Sequence, residues 1–237
     1  MSKITTAASF QEGQILLFDK PLNWTSFQVV NKVRWLIRKQ YNLKKIKVGH
    51  AGTLDPLATG LLIICTGKFT KQIDTYQGQE KEYTGTFTLG ATTPSFDLET
   101  EIDQTFYISN LTEEKIIAAT HQFIGEIQQQ PPVFSALKKD GKRLYEFARS
   151  GEDVEVAFRT VQISAFEITR IALPEVDFRV QCSKGTYIRS LAHDFGKALE
   201  NGAHLSALRR TKIGEFSVRD AMSLNEFENQ LKPSNPS

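Results

Sequence analysis

The sequence predicts an α+β fold. Apolar stripes at helical spacing and short alternating apolar segments follow one another in irregular order, without the strict strand–helix alternation that builds a doubly wound sheet. No internal repeat, heptad run or extended low-complexity tract competes with that reading. Ile15 to Phe18 is a short apolar strand, Asp19-Lys20-Pro21-Leu22-Asn23 a turn, and Ser26 a helix cap. Val29, Val30, Val33, Leu36 and Ile37 then recur at helical spacing to about Gln40, with basic residues on the other face. Leu61 to Cys65 reads as a short buried strand or helix segment. From Lys81 to Gly90, Tyr83, Gly85, Phe87 and Leu89 alternate with Thr84, Thr86 and Thr88, the mark of a strand with one apolar face. Thr112, Glu113 and Glu114 open a second helix with a stripe of Ile116, Ile117, Thr120, Phe123 and Ile124, stopped by Gly125.

The pattern changes between Gln128 and Gly151, where Gln128-Gln129-Gln130-Pro131-Pro132 leads into a basic, aromatic-bearing excursion from the core. Val154 to Ile171 and Val176 to Cys182 read as strands broken by Pro174. Leu191, Ala192, Phe195, Ala198 and Leu199 mark a third helix ending before Gly202, and Phe216 to Phe227 supplies a final strand and short helix. The tail from Lys232 to Ser237 is expected to be disordered.

With 237 residues, 40% hydrophobic and 24% charged, the chain can bury a core without staples, as one large domain or one domain with a small appendage. Cys65 and Cys182 stand far apart with no Cys-x-x-Cys spacing, which argues against a disulfide framework or a zinc ribbon and for a reducing compartment. Met1 to Gly13 is polar, and no apolar run approaches the ~18 residues of a membrane span, so a cytoplasmic protein is expected. Without a secretion signal the sequons at Asn23 and Asn110 read as coincidental.

A net charge of +2 is too small to argue for nucleic acid by itself, but the charge is segregated by sign. Arg34, Arg38, Lys39, Lys44, Lys45 and Lys47 form one basic group; Lys138, Lys139, Lys142, Arg143 and Arg149 a second; Arg209, Arg210 and Lys212 a third. Asp97, Glu99, Glu101 and Asp103 form a separate acidic stretch. One basic group alone would be a solvated face; three suggest a track for phosphates.

The segment from His50 to Gly60 carries the chemistry. It sets a single carboxylate, Asp55, among Gly52, Pro56 and Gly60, just before an apolar run. A carboxylate held at the edge of a core is a candidate nucleophile or base. Other chemistries lack their signatures. His50, His121, His193 and His204 contain no His-x-x-x-His pair. Thr66-Gly67-Lys68 fails the phosphate-loop spacing, with Leu62 where glycine and Phe69 where a hydroxyl are required. No Gly-x-Ser-x-Gly elbow occurs.

Taken together, Asp19-Lys20-Pro21, Gly49 to Gly60, Lys81-Glu82-Tyr83, Pro131 to Ala136, Gly185-Thr186-Tyr187-Ile188-Arg189 and Leu208-Arg209-Arg210 resemble the bacterial TruB family of tRNA pseudouridine synthases, in the family's order from about residue 15 to 225. The resemblance implies a mixed, largely antiparallel sheet flanked by helices. It implies one catalytic domain over residues 1–237, with a core at about 15–225, a thumb-like RNA-gripping insert at about 128–151 and a short C-terminal segment at about 213–231.

The implied reaction is isomerisation of uridine 55 in the TΨC loop of tRNA, with no cofactor, no metal and no obligatory protein partner. Asp55 would be the nucleophile, attacking either C6 of the base or C1′ of the sugar. Arg189 would pair with that carboxylate and favour its charged form. Tyr83 would stack on a flipped-out base. Tyr187 would line the pocket and take part in proton transfer at C5, His50 would help hold the remodelled loop, and Leu208 would be an apolar wall. Lys20 reads as a turn or fold-support residue. The pattern is departed from twice. Asn23 replaces a glycine that many members have, which asparagine can match at positive φ. The chain also stops too soon after Arg210 for a full PUA domain, so RNA grip should rest on the catalytic domain and thumb.

Overall fold

The structure, a computed structural model, describes residues 6–232 apart from 136, 140, 151 and 153, and the side chains of these except 138, 139, 143, 145, 148 and 149. In chain order the elements are α1 (Ala7–Glu12), β1 (Ile15–Lys20), α2 (Ser26–Tyr41), β2 (Val48–Ala51), β3 (Ala58–Thr66), α3 (Ile73–Gly78), β4 (Lys81–Leu89), β5 (Ala91–Thr92) and β6 (Gln104–Thr105). There follow α4 (Glu113–Ala119), β7 (Gly125–Gln129), β8 (Lys138–Lys139), β9 (Lys142–Arg143), α5 (Leu144–Ser150), β10 (Arg159–Ala172) and β11 (Glu175–Cys182). The chain closes with α6 (Ile188–Ala198), β12 (Ala203–Ile213), β13 (Phe216–Ser217) and α7 (Leu224–Leu231). Two compact units emerge, Met1–Glu82 with Arg209–Ser237, and Tyr83–Leu208.

The first unit is built on β3. Its run Leu61 to Cys65 is continuously apolar because both faces of the strand are covered. β1 pairs antiparallel with it from Ile15↔Cys65 to Lys20↔Gly60, and β2 from Val48↔Thr66 to Ala51↔Ile63. Alternation along the strands sends Leu16, Phe18, Leu62 and Ile64 to one face, where Val29, Val30, Val33 and Ile37 of α2 and Phe227 of α7 meet them. Leu61, Ile63 and Cys65 go to the other, with Ala51 and Ile213. Phe227 closes the first core, its ring edge-on to Phe18 at 5.2 Å and to Phe10 at 6.3 Å.

Helix α2 begins one residue earlier than its sequence suggests. Thr25, not Ser26, is the cap: its hydroxyl accepts from the Gln28 amide at 3.1 Å, and Gln28 Oε1 accepts from the Thr25 amide at 2.7 Å. Asn42, at φ 50°, ends the helix in the left-handed region.

In the second unit the strands run β4, β11, β10, β7 in space, β11 and β10 forming a long antiparallel hairpin whose turn holds Pro174. β10 starts at Arg159, five residues after Val154, where the chain first enters the sheet opposite Gln129. The core is aromatic. Phe87 stacks on Phe178 at 4.1 Å, and Phe166 meets Phe195 of α6 at 5.5 Å. Thr112 caps α4 as expected, but the helix ends at Ala119 and tightens into a 3-10 turn at Thr120–Phe123. The buried stripe is narrower than expected: Ile116, Thr120 and Phe123 are buried, whereas Ile117 and Ile124 are about half exposed. Gly125 opens β7 and does not cap the helix.

Several elements are absent from the sequence reading, among them α1, α3 and β12. α1 is short and buries only Phe10 in the first core, α3 is short and lays Ile73 and Tyr76 against the other apolar face, and β12 is a long strand whose alternation is interrupted by Ser206, Arg209, Arg210 and Lys212. Among the described residues no helix is long and apolar enough to cross a membrane. Cys65 and Cys182 are both buried. Of the insert's basic group, the side chains of Lys138, Lys139, Arg143 and Arg149 lie outside the described residues, as do Ala136, Gly151 and the tail from 233 to 237. Phe227→Ala, which empties the junction of α7 with β1, is expected to destabilise the protein by about 3–5 kcal/mol in urea unfolding.

Candidate active site

Asp55 sits half-buried on the turn between β2 and β3, and nearly every residue around it is held by its backbone. Ser26, freed from capping duty, is buried and reaches across to Leu54: its hydroxyl donates to the Leu54 carbonyl at 3.1 Å and accepts from the Leu54 amide at 2.8 Å. After the aspartate, the Pro56 carbonyl accepts from the Asn23 amide at 2.9 Å and from Lys20 Nζ at 3.4 Å. Ala58 N donates to Asp55 O at 3.1 Å, closing the turn. Before it, the Gly52 carbonyl accepts from Arg210 Nη2 at 3.0 Å and the Thr53 carbonyl from Nη1 at 3.5 Å. The backbone is thus fixed on both sides of Asp55.

Two of these donors are buried cations. Lys20 is fully buried, and Nζ also donates to Pro21 O at 2.9 Å and Trp24 O at 2.5 Å. Burial pushes its ammonium down to about 8, with Asp55 pulling it up and Arg210 pushing it further down. The fold-support reading of Lys20 therefore acquires its mechanism: it ties the Asp19–Trp24 turn to the aspartate turn. Its left-handed Asn23, at φ 63°, fits the expectation that asparagine can stand for glycine there. His50, on β2, is shifted below its ordinary range by burial and by Arg210, which favours the neutral ring.

The third basic group is corrected by these contacts. Arg210 is buried with its guanidinium on main-chain carbonyls, so it faces no solvent-borne phosphate. Arg209 forms a bidentate pair with Asp19 at 2.6 and 3.0 Å, and Lys212 lies 3.6 Å from Glu82. In the first group Arg34 donates to Asn31 and Val48, while Lys44, Lys45 and Lys47 remain exposed.

The second unit holds the other predicted residues. Tyr83 is buried on β4, and Leu208 is half-buried on β12. Tyr187 stands at the cap of α6, fixed by Gln129: its amide donates to Gln129 Oε1 at 2.7 Å, and its carbonyl accepts from Nε2 at 3.0 Å. Its ring lies 5.5 Å from the Arg159 guanidinium, within cation–π range. Arg189, in the first turn of α6, is buried; Nη1 donates to Phe134 O at 2.9 Å and Ser95 O at 3.4 Å, and Nε lies 3.6 Å from Asp97. Asp97 is itself buried, so it does not belong to a solvated acidic stretch.

Sequence reasoning passed over Ser26, Gln129, Asp97 and Arg210 as positioning groups. Ser26 looked like a cap and Asp97 like one of a run of acids. Gln129 has no marker beyond its place before two prolines. The signal for Arg210 was available: a Leu-Arg-Arg next to Thr211 and Ile213 in a β-compatible stretch sends one arginine inward.

Comparison with known proteins places this geometry in context. Residues 38–188 match the family model described as TruB family pseudouridylate synthase (N terminal domain), and residues 189–235 match the tRNA pseudouridylate synthase B C-terminal domain. The chain is 63% identical to the tRNA pseudouridine synthase B of Flavobacterium johnsoniae over 96% of its own length and 100% of that protein's. It is 56% identical to the protein of the same name from Phocaeicola vulgatus, covering 94% and 95%. Among solved structures it resembles a chain of a Cbf5-Nop10-Gar1 complex, with TM-score 0.68 and 33% identity over 93% of this chain and 54% of that one. A chain of an H/ACA RNP bound to a substrate RNA containing 2′-deoxyuridine gives TM-score 0.66 and 31% identity, over 93% and 53%. The chain therefore spans about half the length of these two solved chains.

Two measurements test the turn. Ser26→Ala leaves the Leu54 amide and carbonyl buried without their partner, and is expected to cost about 1–3 kcal/mol and to speed hydrogen exchange of the Leu54 amide. For Lys20, folding with a depressed pKa penalises the charged amine fully below about pH 8, and the penalty fades toward its ordinary 10.5. The stability of the parent relative to Lys20→Met should accordingly rise between about pH 8 and pH 10, read as the difference in urea midpoints; a flat difference would contradict the assignment.

Proposed function

We propose that this chain, which belongs to the TruB family of pseudouridylate synthases, isomerises a uridine of tRNA to pseudouridine, and that the uridine is nucleotide 55 of the TΨC loop. The observation that carries the reading is the full-length identity of 63% to a protein named tRNA pseudouridine synthase B. The fastened turn supports Asp55 as the residue that acts, because a nucleophile gains most when its neighbours cannot drift.

The reaction is redox-neutral. The bond from N1 to C1′ breaks, a bond from C5 to C1′ forms, the C5 hydrogen leaves as a proton and N1 takes one up. Asp55, ionised, is assigned the attack, at C6 of the base or at C1′ of the sugar. The target base has to leave the loop stack, and Tyr83 is assigned to stack on it. Tyr187, fixed by Gln129, is assigned the proton at C5. Arg189, whose guanidinium the Ser95–Asp97 segment and Phe134 hold in a defined place, is assigned to stabilise the aspartate's charge. His50, neutral by its surroundings, is assigned to the RNA loop, and Leu208 to the pocket wall.

The domain reading carries over as part of this proposal: one catalytic domain, with the insert at about 128–151 gripping the T-arm. The exposed Lys44, Lys45 and Lys47 are positioned to add phosphate contacts, so affinity should fall as salt rises. A tRNA substrate places the protein in the cytoplasm.

The test is release of tritium from tRNA labelled at uridine C5. The parent chain should release it and Asp55→Asn should not; undiminished release by Asp55→Asn would sink the mechanism. Arg189→Lys keeps a charge but loses the fork, and should lower turnover by about 10²-fold.

A further inference from the structure

We infer that Arg210 is the positioning residue of the Asp55 turn: the segment from Gly52 to Leu61 is moulded on this one arginine, and its guanidinium sets where the carboxylate stands. The inference rests on the reading of Asp55 as the reacting group. Nothing in the charge pattern of the sequence distinguishes Arg210 from its exposed neighbours; its contacts do.

Three hydrogen bonds leave the guanidinium, and all three go to main-chain carbonyls of this segment. Nη2 reaches Gly52 O at 3.0 Å, Nη1 reaches Thr53 O at 3.5 Å, and Nε reaches Leu61 O at 2.8 Å. One rigid fork therefore spans the two ends of the turn, entering from β2 and leaving on β3, with Asp55 between them. A lysine has no such span, because its single nitrogen can serve one end at a time.

The two glycines that bracket the aspartate have their explanation in the same residue. Gly52 lies at φ +94°, and a Cβ there would come within 3.3 Å of Arg210 Nη1. Gly60 lies at φ +103°, and a Cβ there would meet the Arg210 carbonyl oxygen at 2.3 Å and its amide nitrogen at 2.7 Å. The chain is thus bare of side chain at both places where it approaches residue 210, once at the guanidinium and once at the main chain. Glycine also supplies the left-handed backbone that both positions use.

The charge of Arg210 matters as well as its shape. The side chain is 1% exposed and pairs with no carboxylate among the described residues; carbonyl dipoles alone solvate it. Arginine tolerates this because it stays charged and its fork satisfies several acceptors at once. Its field is felt across the turn, at Lys20 and at His50. A purely structural filler of the same volume would not need that charge.

The experiment compares the parent, Arg210→Lys and Arg210→Gln in single-turnover and steady-state isomerisation of tRNA, with tRNA affinity and unfolding measured in parallel. The parent and Asp55→Asn are assayed first. If the parent does not isomerise, or Asp55→Asn still does, the reading of Asp55 fails and this inference fails with it. If those two behave as expected, folded Arg210→Lys should show a single-turnover rate lower by 10-fold or more with KM and tRNA affinity within about 2-fold, the scale on which a small misplacement acts. Folded Arg210→Gln should be slower still. Should Arg210→Gln fail to fold, Arg210→Lys decides alone. Rates equal to the parent in folded Arg210→Lys would overturn the inference while leaving Asp55 in place, as would a loss confined to KM.

Discussion

Fixing the backbone on either side of Asp55 is the constraint on which the first unit is organised. Donors converge on the turn from three directions: Ser26 from the start of α2, Lys20 from the end of β1, and Arg210 from β12. Each is drawn from an element whose own packing is settled by the two apolar faces of β3. A side chain used in chemistry has to keep its position while the substrate changes shape around it, and a turn in isolation has too many conformations to do so. Here the core supplies the rigidity, and buried polar groups transmit it to residues 52, 53, 54 and 56.

That arrangement carries an electrostatic cost. Lys20 and Arg210 both lie inside one unit, and desolvation opposes the charge on each. Carbonyl oxygens of the turn offset part of that cost, and the same bonds that solvate the cations hold the turn. Lys20 and Arg210 thus set positive charge around the turn that carries Asp55, the residue proposed as nucleophile. The second unit solves a similar problem by a different device: buried Arg189 is fixed by an acidic partner, Asp97, and by the carbonyls of Ser95 and Phe134.

Much of this architecture was legible in the sequence, and the limits have physical causes. Periodicity located α2, β4, α4 and α6, because in these the buried face repeats every second residue or every third and fourth; β1 and β3 showed as short apolar runs, the second open between strand and helix. β12 escaped because polar and charged residues interrupt its alternation over most of its length, and with the strand unread Arg210 counts with its basic neighbours although the local Leu208 to Ile213 spacing sends it inward. Ser26 was read as a cap since a serine before an apolar stripe usually is one; Thr25 takes that place, and the difference of one residue releases the hydroxyl that grips Leu54. Tyr83, Tyr187 and Arg189 stood out only as a set of family motifs, since each is locally an ordinary strand or helix residue. The two-sided grip of Gln129 on Tyr187 depends on residues 58 apart and leaves no local trace.

The role proposed for the turn is to hold Asp55 for the isomerisation of one particular uridine. It is tested most directly by mapping pseudouridine in tRNA from cells that lack this protein and from the same cells supplied with the parent chain or with Asp55→Asn. Pseudouridine at nucleotide 55 of the TΨC loop should be missing without the protein, restored by the parent and not restored by Asp55→Asn. Full modification of that nucleotide without the protein, or its restoration by Asp55→Asn, would contradict it.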